Sequence, residues 1–175
     1  MTRVIYSVAL LSALGLTPPA AAQQPAAIAA DSSNLHYYDR WPGVWYKVRG
    51  DSLETEPTFR VQRGPGHSFL EDWRLVIDGK PAPSFGLRAW DPLTESWRLV
   101  WVADPDHFQI WDGRKERDGW YITRQFGEGA SAFLSRQAWI LTADELLRTI
   151  ERSTDGGRTW TVRSRENFRR RGEAR

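Results

Sequence analysis

The 175-residue chain contains no cysteine. Disulfides, thiolate nucleophiles and cysteine-ligated metals are therefore excluded, and any fold must rest on its core alone. Lysine is scarce, at positions 47, 80 and 115 only, so arginine carries nearly all the positive charge. The three histidines, His36, His67 and His107, stand far apart without metal-ligand spacing, which argues against a zinc site. No amphipathic helical period longer than a turn or two is visible; Ala143–Leu146 is the one short helical turn expected. Net charge is low as well, at +2. With so small an excess the closing run Arg169–Arg171 reads as part of a solvated basic tail over 169–175, and a nucleic-acid surface is not expected.

What is present at the N-terminus is an address. Arg3 precedes an apolar run from Val4 to Leu16, then Thr17-Pro18-Pro19 and the small triplet Ala20-Ala21-Ala22. One cation, a short apolar stretch and an A-x-A site predict a secretory signal peptide over 1–22, cleaved before Gln23. A membrane-spanning helix needs roughly 20 apolar residues, so stable membrane insertion is not expected. No cysteine follows the cleavage site to carry a lipid. The reading is an exported bacterial protein, periplasmic or secreted. Residues 23–36, rich in Ala, Gln, Ser and Pro, read as a flexible leader, and 37–168 as one domain.

From Trp45 onward, short alternating runs end at turn chemistry. They cover about 44–49, 58–63, 67–77, 83–90, 97–102, 107–112, 119–126, 131–141, 146–153 and 159–168. Between them lie Gly64-Pro65-Gly66, Asp78-Gly79, Asp91-Pro92, Asp104-Pro105, Asp112-Gly113, Asp118-Gly119, Gly127-Glu128-Gly129 and Asp155-Gly156-Gly157. This punctuation predicts an all-β, antiparallel up-and-down meander of about 8–10 strands. Closure into a barrel removes the edge strands. Ten tryptophans supply much of the core.

Two blocks then resemble known proteins. "YYDRWPGVWYKV", residues 37–48, resembles the opening of lipocalins, where G-x-W enters the first strand; Gly43 and Trp45 hold the matching positions. "DGKPAPSFGLRAWDPLTESWRLVWV", residues 78–102, resembles a family of exported bacterial proteins of uncharacterised function with lipocalin-like barrels in the calycin superfamily. The resemblance implies a lipocalin-like barrel in which Gly43 lets the chain turn close under the floor and Trp45 plugs it. The lipocalins' T-D-Y-like turn has no clear match. Their late arginine, which packs on the floor tryptophan, has Arg163 and Arg165 as candidates. Haem-binding barrels of the wider family use a histidine on a late strand; none follows His107, so no haem is expected, nor any other cofactor.

"STDGGRTW", residues 153–160, resembles the Asp-box, the repeated hairpin of sialidase propellers. Every fixed residue of that pattern builds a turn: Asp155 accepts backbone N–H groups, Gly157 takes a positive φ, and Trp160 packs beneath. A propeller needs several blades of roughly 40–45 residues each, and a single box is present. It reads as a hairpin clip and not as a glycosidase signature.

No catalytic set is expected. The acids are plentiful but sit mostly beside Gly or Pro at turns, Glu71 and Asp72 point to opposite faces of one strand, and no G-x-S-x-G marks a nucleophile. The main reading is an exported binding or carrier module holding an apolar or amphiphilic small molecule, anionic ones included, in a β-barrel. Trp73, Trp101, Phe108 and Trp111 are the wall candidates because they lie in the most apolar runs. Arg88, Arg124 and Arg136 are the anchors, each a cation interrupting an apolar strand. Two other readings stand beside it: a structural or protein-interaction module filled solid by its own tryptophans, and a hydrolase with an unrecognised carboxylate pair. Which strand faces point inward is left open by the sequence.

Overall fold

The computed structural model describes residues 32–171 apart from 78, 105, 117, 118, 143 and 144. The expected signal peptide and its cleavage site lie outside the described residues, as do the first two residues of the turn expected over Ala143–Leu146; the other two, Glu145 and Leu146, are not helical but begin a strand.

The chain forms a closed antiparallel up-and-down barrel of ten strands. The strands are β1 (Gly43–Arg49), β3 (Phe59–Arg63), β4 (Ser68–Ile77), β5 (Lys80–Asp91), β6 (Ser96–Ala103), β7 (His107–Glu116), β8 (Gly119–Phe126), β9 (Phe133–Leu141), β10 (Glu145–Ser153) and β11 (Thr161–Arg170). A two-residue strand, β2 (Ser52–Leu53), hairpins back on the end of β1. Each barrel strand pairs with the next in sequence, and Trp45, Tyr46 and Lys47 of β1 pair with Arg170, Arg169 and Phe168 of β11 to close the ring.

The alternation of side chains fixes inside from outside. Trp97, Leu99, Trp101 and Ala103 of β6 face in, as do Trp120, Ile122, Arg124 and Phe126 of β8 and Phe133, Ser135, Gln137 and Trp139 of β9. The connections β3–β4, β5–β6, β7–β8 and β9–β10 lie at one end, the floor. A short helix, α1 (Ser32–Leu35), and the segment to Trp41 lie against it. Asn34 carbonyl accepts the Trp97 indole N–H at 2.9 Å, and Tyr38 and Trp41 are wholly buried among Trp45, Phe69, Trp97 and Trp139. The described end of the expected leader is thus helical.

Three further differences from the sequence expectation have physical causes. Strand β7 does not turn at Asp112-Gly113 but runs through to Glu116. A Cβ at Gly113 would sit 2.2 Å from the Trp97 carbonyl oxygen, so this glycine permits a close strand approach. The expected tail begins too early: Arg169 and Arg170 belong to β11. Finally, the late arginine on the floor tryptophan is neither Arg163 nor Arg165 but Arg170. Its guanidinium lies 4.6 Å from the Trp45 ring and donates to the carbonyls of Arg40 and Pro42. Gly43 (φ 149°) makes room for it, because a Cβ there would stand 3.1 Å from Arg170 Nε.

Candidate functional site

The interior is divided by packing. Towards the floor, aromatic rings meet edge to face or stacked: Tyr38 on Trp97 at 5.0 Å between centroids, Phe59 on Trp73 at 4.0 Å, Trp41 on Trp139 at 5.5 Å. Such offset and perpendicular contacts use the ring quadrupoles. Towards the other end, the packing opens into a cavity of about 110 Å³. Its walls are Trp73, Trp101, Trp111, Trp139, Leu75 and Leu99, with polar groups from Glu71, Gln109, Gln137 and Arg148.

Two ionic clusters hold this interior polar. Arg88, with no exposed side-chain surface, donates from Nε to Glu71 at 3.3 Å and from Nη1 to the Tyr38 hydroxyl at 3.0 Å. Its guanidinium also lies over the Trp41 and Tyr38 rings at 4.1 and 4.6 Å. Burial pushes the Tyr38 phenol up to about 12, against the pull of the Arg88 cation. Glu71 is held on its other oxygen by the Trp73 indole N–H at 3.0 Å. In the second cluster Glu166 accepts from Lys47 and, at 3.1 Å, from Arg148, while Arg148 Nε reaches Gln137 at 3.1 Å. Burial raises the Glu166 carboxyl, but the two cations outweigh it and leave it below its usual value. Burial likewise pulls the Arg148 guanidinium down, opposed by Glu166.

Of the wall candidates, Trp73, Trp101 and Trp111 line this cavity. Phe108 does not: it is 62% exposed on the outer face. The alternation of β7 explains it, since Gln109 and Trp111 point in, the Trp111 indole N–H donating to Gln109 at 3.0 Å, and Phe108 and Ile110 must then point out. Phe108 instead extends an outer apolar row with Phe85 and Val102, beside a second row of Leu70, Leu87, Val100 and Ile110.

Of the anchors, Arg88 is inward but spent on Glu71 and Tyr38. Arg136 is outward: it donates to Glu151 at 2.6 Å and Glu116 at 2.7 Å, and lies over the Tyr121 and Trp160 rings at 4.4 and 4.2 Å. Its cross-strand partner Thr123 shares that outer face. Arg124 is inward, at the upper end, with one long 3.5 Å contact to the Phe108 carbonyl.

The Asp-box hairpin closes the β10–β11 connection at that same end. Asp155 Oδ1 accepts the Arg158 and Thr159 backbone N–H groups at 3.0 Å and the Ser153 hydroxyl at 2.7 Å; Oδ2 accepts the Thr159 hydroxyl at 2.6 Å. These bonds, Thr159's first, hold the carboxyl far below its ordinary value. Gly156 and Gly157 have positive φ. Trp160 donates to the Gly157 carbonyl at 3.1 Å, but it is half-buried on the outer face against Arg136 and so stands apart from the core.

Sequence reasoning missed Glu71, Gln109, Gln137 and Arg148 as wall residues. Arg148 had a signal: Leu146, Arg148, Ile150 and Arg152 alternate through β10, and Leu146 pairs with the inward Leu141 and Phe168. Among the described residues no group of His, Asp and Glu is arranged to hold a metal ion, and no helix is long and apolar enough to cross a membrane. In comparison with known proteins, no family model matches the chain and no curated relative matches its sequence.

Proposed function

We propose that this protein is an exported small-molecule binding module whose ligand enters the upper half of the barrel. The observation that supports it is the cavity of about 110 Å³ walled by four indoles and carrying four convergent polar side chains. Apolar walls with a few placed polar groups are the usual make-up of a ligand site. The N-terminal segment supports export.

Volume limits the guest. Sites for drug-sized ligands run to about 300–1,000 Å³, while an apolar cavity of about 150 Å³ accepts benzene. The ligand is therefore a single ring or a short branched group, and a long-chain fatty acid does not fit within the walls. The same small volume favours the second reading, a module that binds no small molecule and is filled by its own tryptophans.

The test is intrinsic tryptophan fluorescence and thermal shift of the purified chain with benzyl alcohol, benzoate, indole and palmitate. Binding to the folded state at a hundredfold excess over Kd adds about 2.7 kcal/mol of stability. A single-ring ligand is expected to alter emission and raise Tm, and palmitate to do neither. If none of the four moves either signal, the solid-core reading replaces this one.

A further inference from the structure

One inner row near the upper end of the barrel is cationic without an acid to match it. Arg124 of β8 pairs with Ser135 of β9, and Ser135 pairs with Arg152 of β10, which pairs with Thr161 of β11. All four lie on the inward phase of their strands. Elsewhere in the interior Glu71 is matched by Arg88, and Glu166 by Lys47 and Arg148. Among the described residues no carboxylate reaches Arg124 or Arg152.

The two guanidiniums are nonetheless positioned. Arg152 lies 3.9 Å from the Phe133 ring centroid and Arg124 5.2 Å from that of Phe126. Those two rings are themselves stacked at 5.3 Å, 12° from parallel. Arg152 Nε is buried with no hydrogen-bond partner among the described residues. A buried charged donor left unpaired is costly and calls for an explanation. Facing residues of neighbouring strands have Cβ atoms about 5 Å apart, so Arg124 and Arg152, two strands apart, start about 10 Å apart. Two extended arginine side chains are long enough to reach one oxyanion across that gap, Arg124 by giving up its 3.5 Å contact to the Phe108 carbonyl.

The row also adjoins the indole cavity. Trp111, a cavity wall, is the cross-strand neighbour of Arg124, since Asp112 pairs with Thr123. Gln137, another wall, lies one inward position below Ser135 on β9.

We propose that Arg124 and Arg152, with the hydroxyls of Ser135 and Thr161, form an oxyanion site above the cavity. The ligand class is then a small aromatic acid, with its ring against the indoles and its carboxylate between the two guanidiniums. Arginine suits this because its planar fork meets a carboxylate through two parallel hydrogen bonds. The assignment rests on the small-molecule reading above and narrows it to one chemical class.

The experiment compares benzoate with benzyl alcohol, the same ring without the charge, by fluorescence titration. Wild type, Arg152→Gln, Arg124→Gln, Arg152→Lys and the outer-face control Arg165→Gln are measured, each with its Tm to establish folding. In wild type benzoate should bind more tightly than benzyl alcohol and weaken with added NaCl. Either Gln variant should lose about tenfold or more for benzoate and be unchanged for benzyl alcohol. Arg152→Lys should retain part of the affinity and Arg165→Gln all of it. Equal affinity for the two ligands, or benzoate binding untouched in folded Gln variants, overturns the oxyanion site and leaves the cavity reading standing. If benzyl alcohol fails as well, inorganic sulfate decides: stabilisation by sulfate that disappears in Arg152→Gln keeps the anion site while the cavity reading falls. No response to sulfate removes both.

Discussion

Asp155 shows how one carboxylate can complete a hairpin without being buried. Its two oxygens take four hydrogen bonds inside the seven residues Ser153–Thr159, and these favour the charged form. The sign of the pH effect follows. The folded-state pKa lies below the unfolded value of 3.8, so the contribution is fully present above about pH 4 and drains away as the pH falls further. Asp155→Asn should therefore lower Tm at pH 7, and the gap between variant and wild type should narrow below pH 4. Thermal melts from pH 7 to 2 read this directly; a gap independent of pH would separate Asp155 from the hairpin's stability. Arg88 is the opposite case, a cation taken wholly out of water. Removing it in Arg88→Met leaves Glu71 buried without its cation, at a cost of about 3–5 kcal/mol. Replacing both charges, in Glu71→Gln with Arg88→Met, should cost less than the single change. Urea unfolding of the three proteins measures the difference.

At the scale of the element, the ten barrel strands were legible in the sequence because turn residues sit almost wherever the chain reverses. Asp112-Gly113 was the misleading pair. Its chemistry is that of a turn, yet Gly113 serves a long-range approach to the Trp97 carbonyl that no local pattern carries. Gly113→Ala should cost about 1–3 kcal/mol as the two strands move apart, read by chemical denaturation with an unchanged m-value. The inward phase was hidden for a related reason. On β8 and β9 the outer face is also covered, since Tyr121 and Ala138 lie buried beside Arg136, so both faces read as apolar. On β7 the outer Phe108 and Ile110 are more hydrophobic than the inner Gln109. Wall tryptophans in the middle of apolar runs were thus found, whereas Glu71, Gln137 and Arg148 were not, because their partners Arg88, Arg148 and Glu166 stand across a hairpin, 17, 11 and 18 residues away. Arg136 misled in the same way: its acids, Glu116 and Glu151, stand 20 and 15 residues away, which spacing alone does not pair.

For the whole molecule, the consequence is a barrel whose two ends are built on different terms. The floor is sealed by a segment that precedes the first strand. Tyr38 and Trp41 enter the core, Trp45 donates its indole N–H to the Trp41 carbonyl at 3.0 Å, and Arg170 of the last strand ties Arg40 and Pro42 to the same place. First strand, last strand and the preceding segment therefore meet at one tryptophan, so closure of the ring and sealing of the floor are coupled. Among the described residues no such segment plugs the upper end, and no acid pairs with the inner cations Arg124 and Arg152 there. Trp41→Ala should accordingly act beyond its own cavity. Loss of the ring costs about 3–5 kcal/mol, and it also takes away one face against which the Arg88 guanidinium rests. Tyr38→Phe keeps the ring and removes only the hydroxyl that accepts from Arg88, for about 1–3 kcal/mol. If floor and ring closure are one unit, Trp41→Ala should increase hydrogen exchange at β1 and β11 more than at β6 and β7, and Tyr38→Phe should show the same order with smaller amplitude. Uniform exchange across all strands would mean that the floor segment merely adds stability without locking the seam.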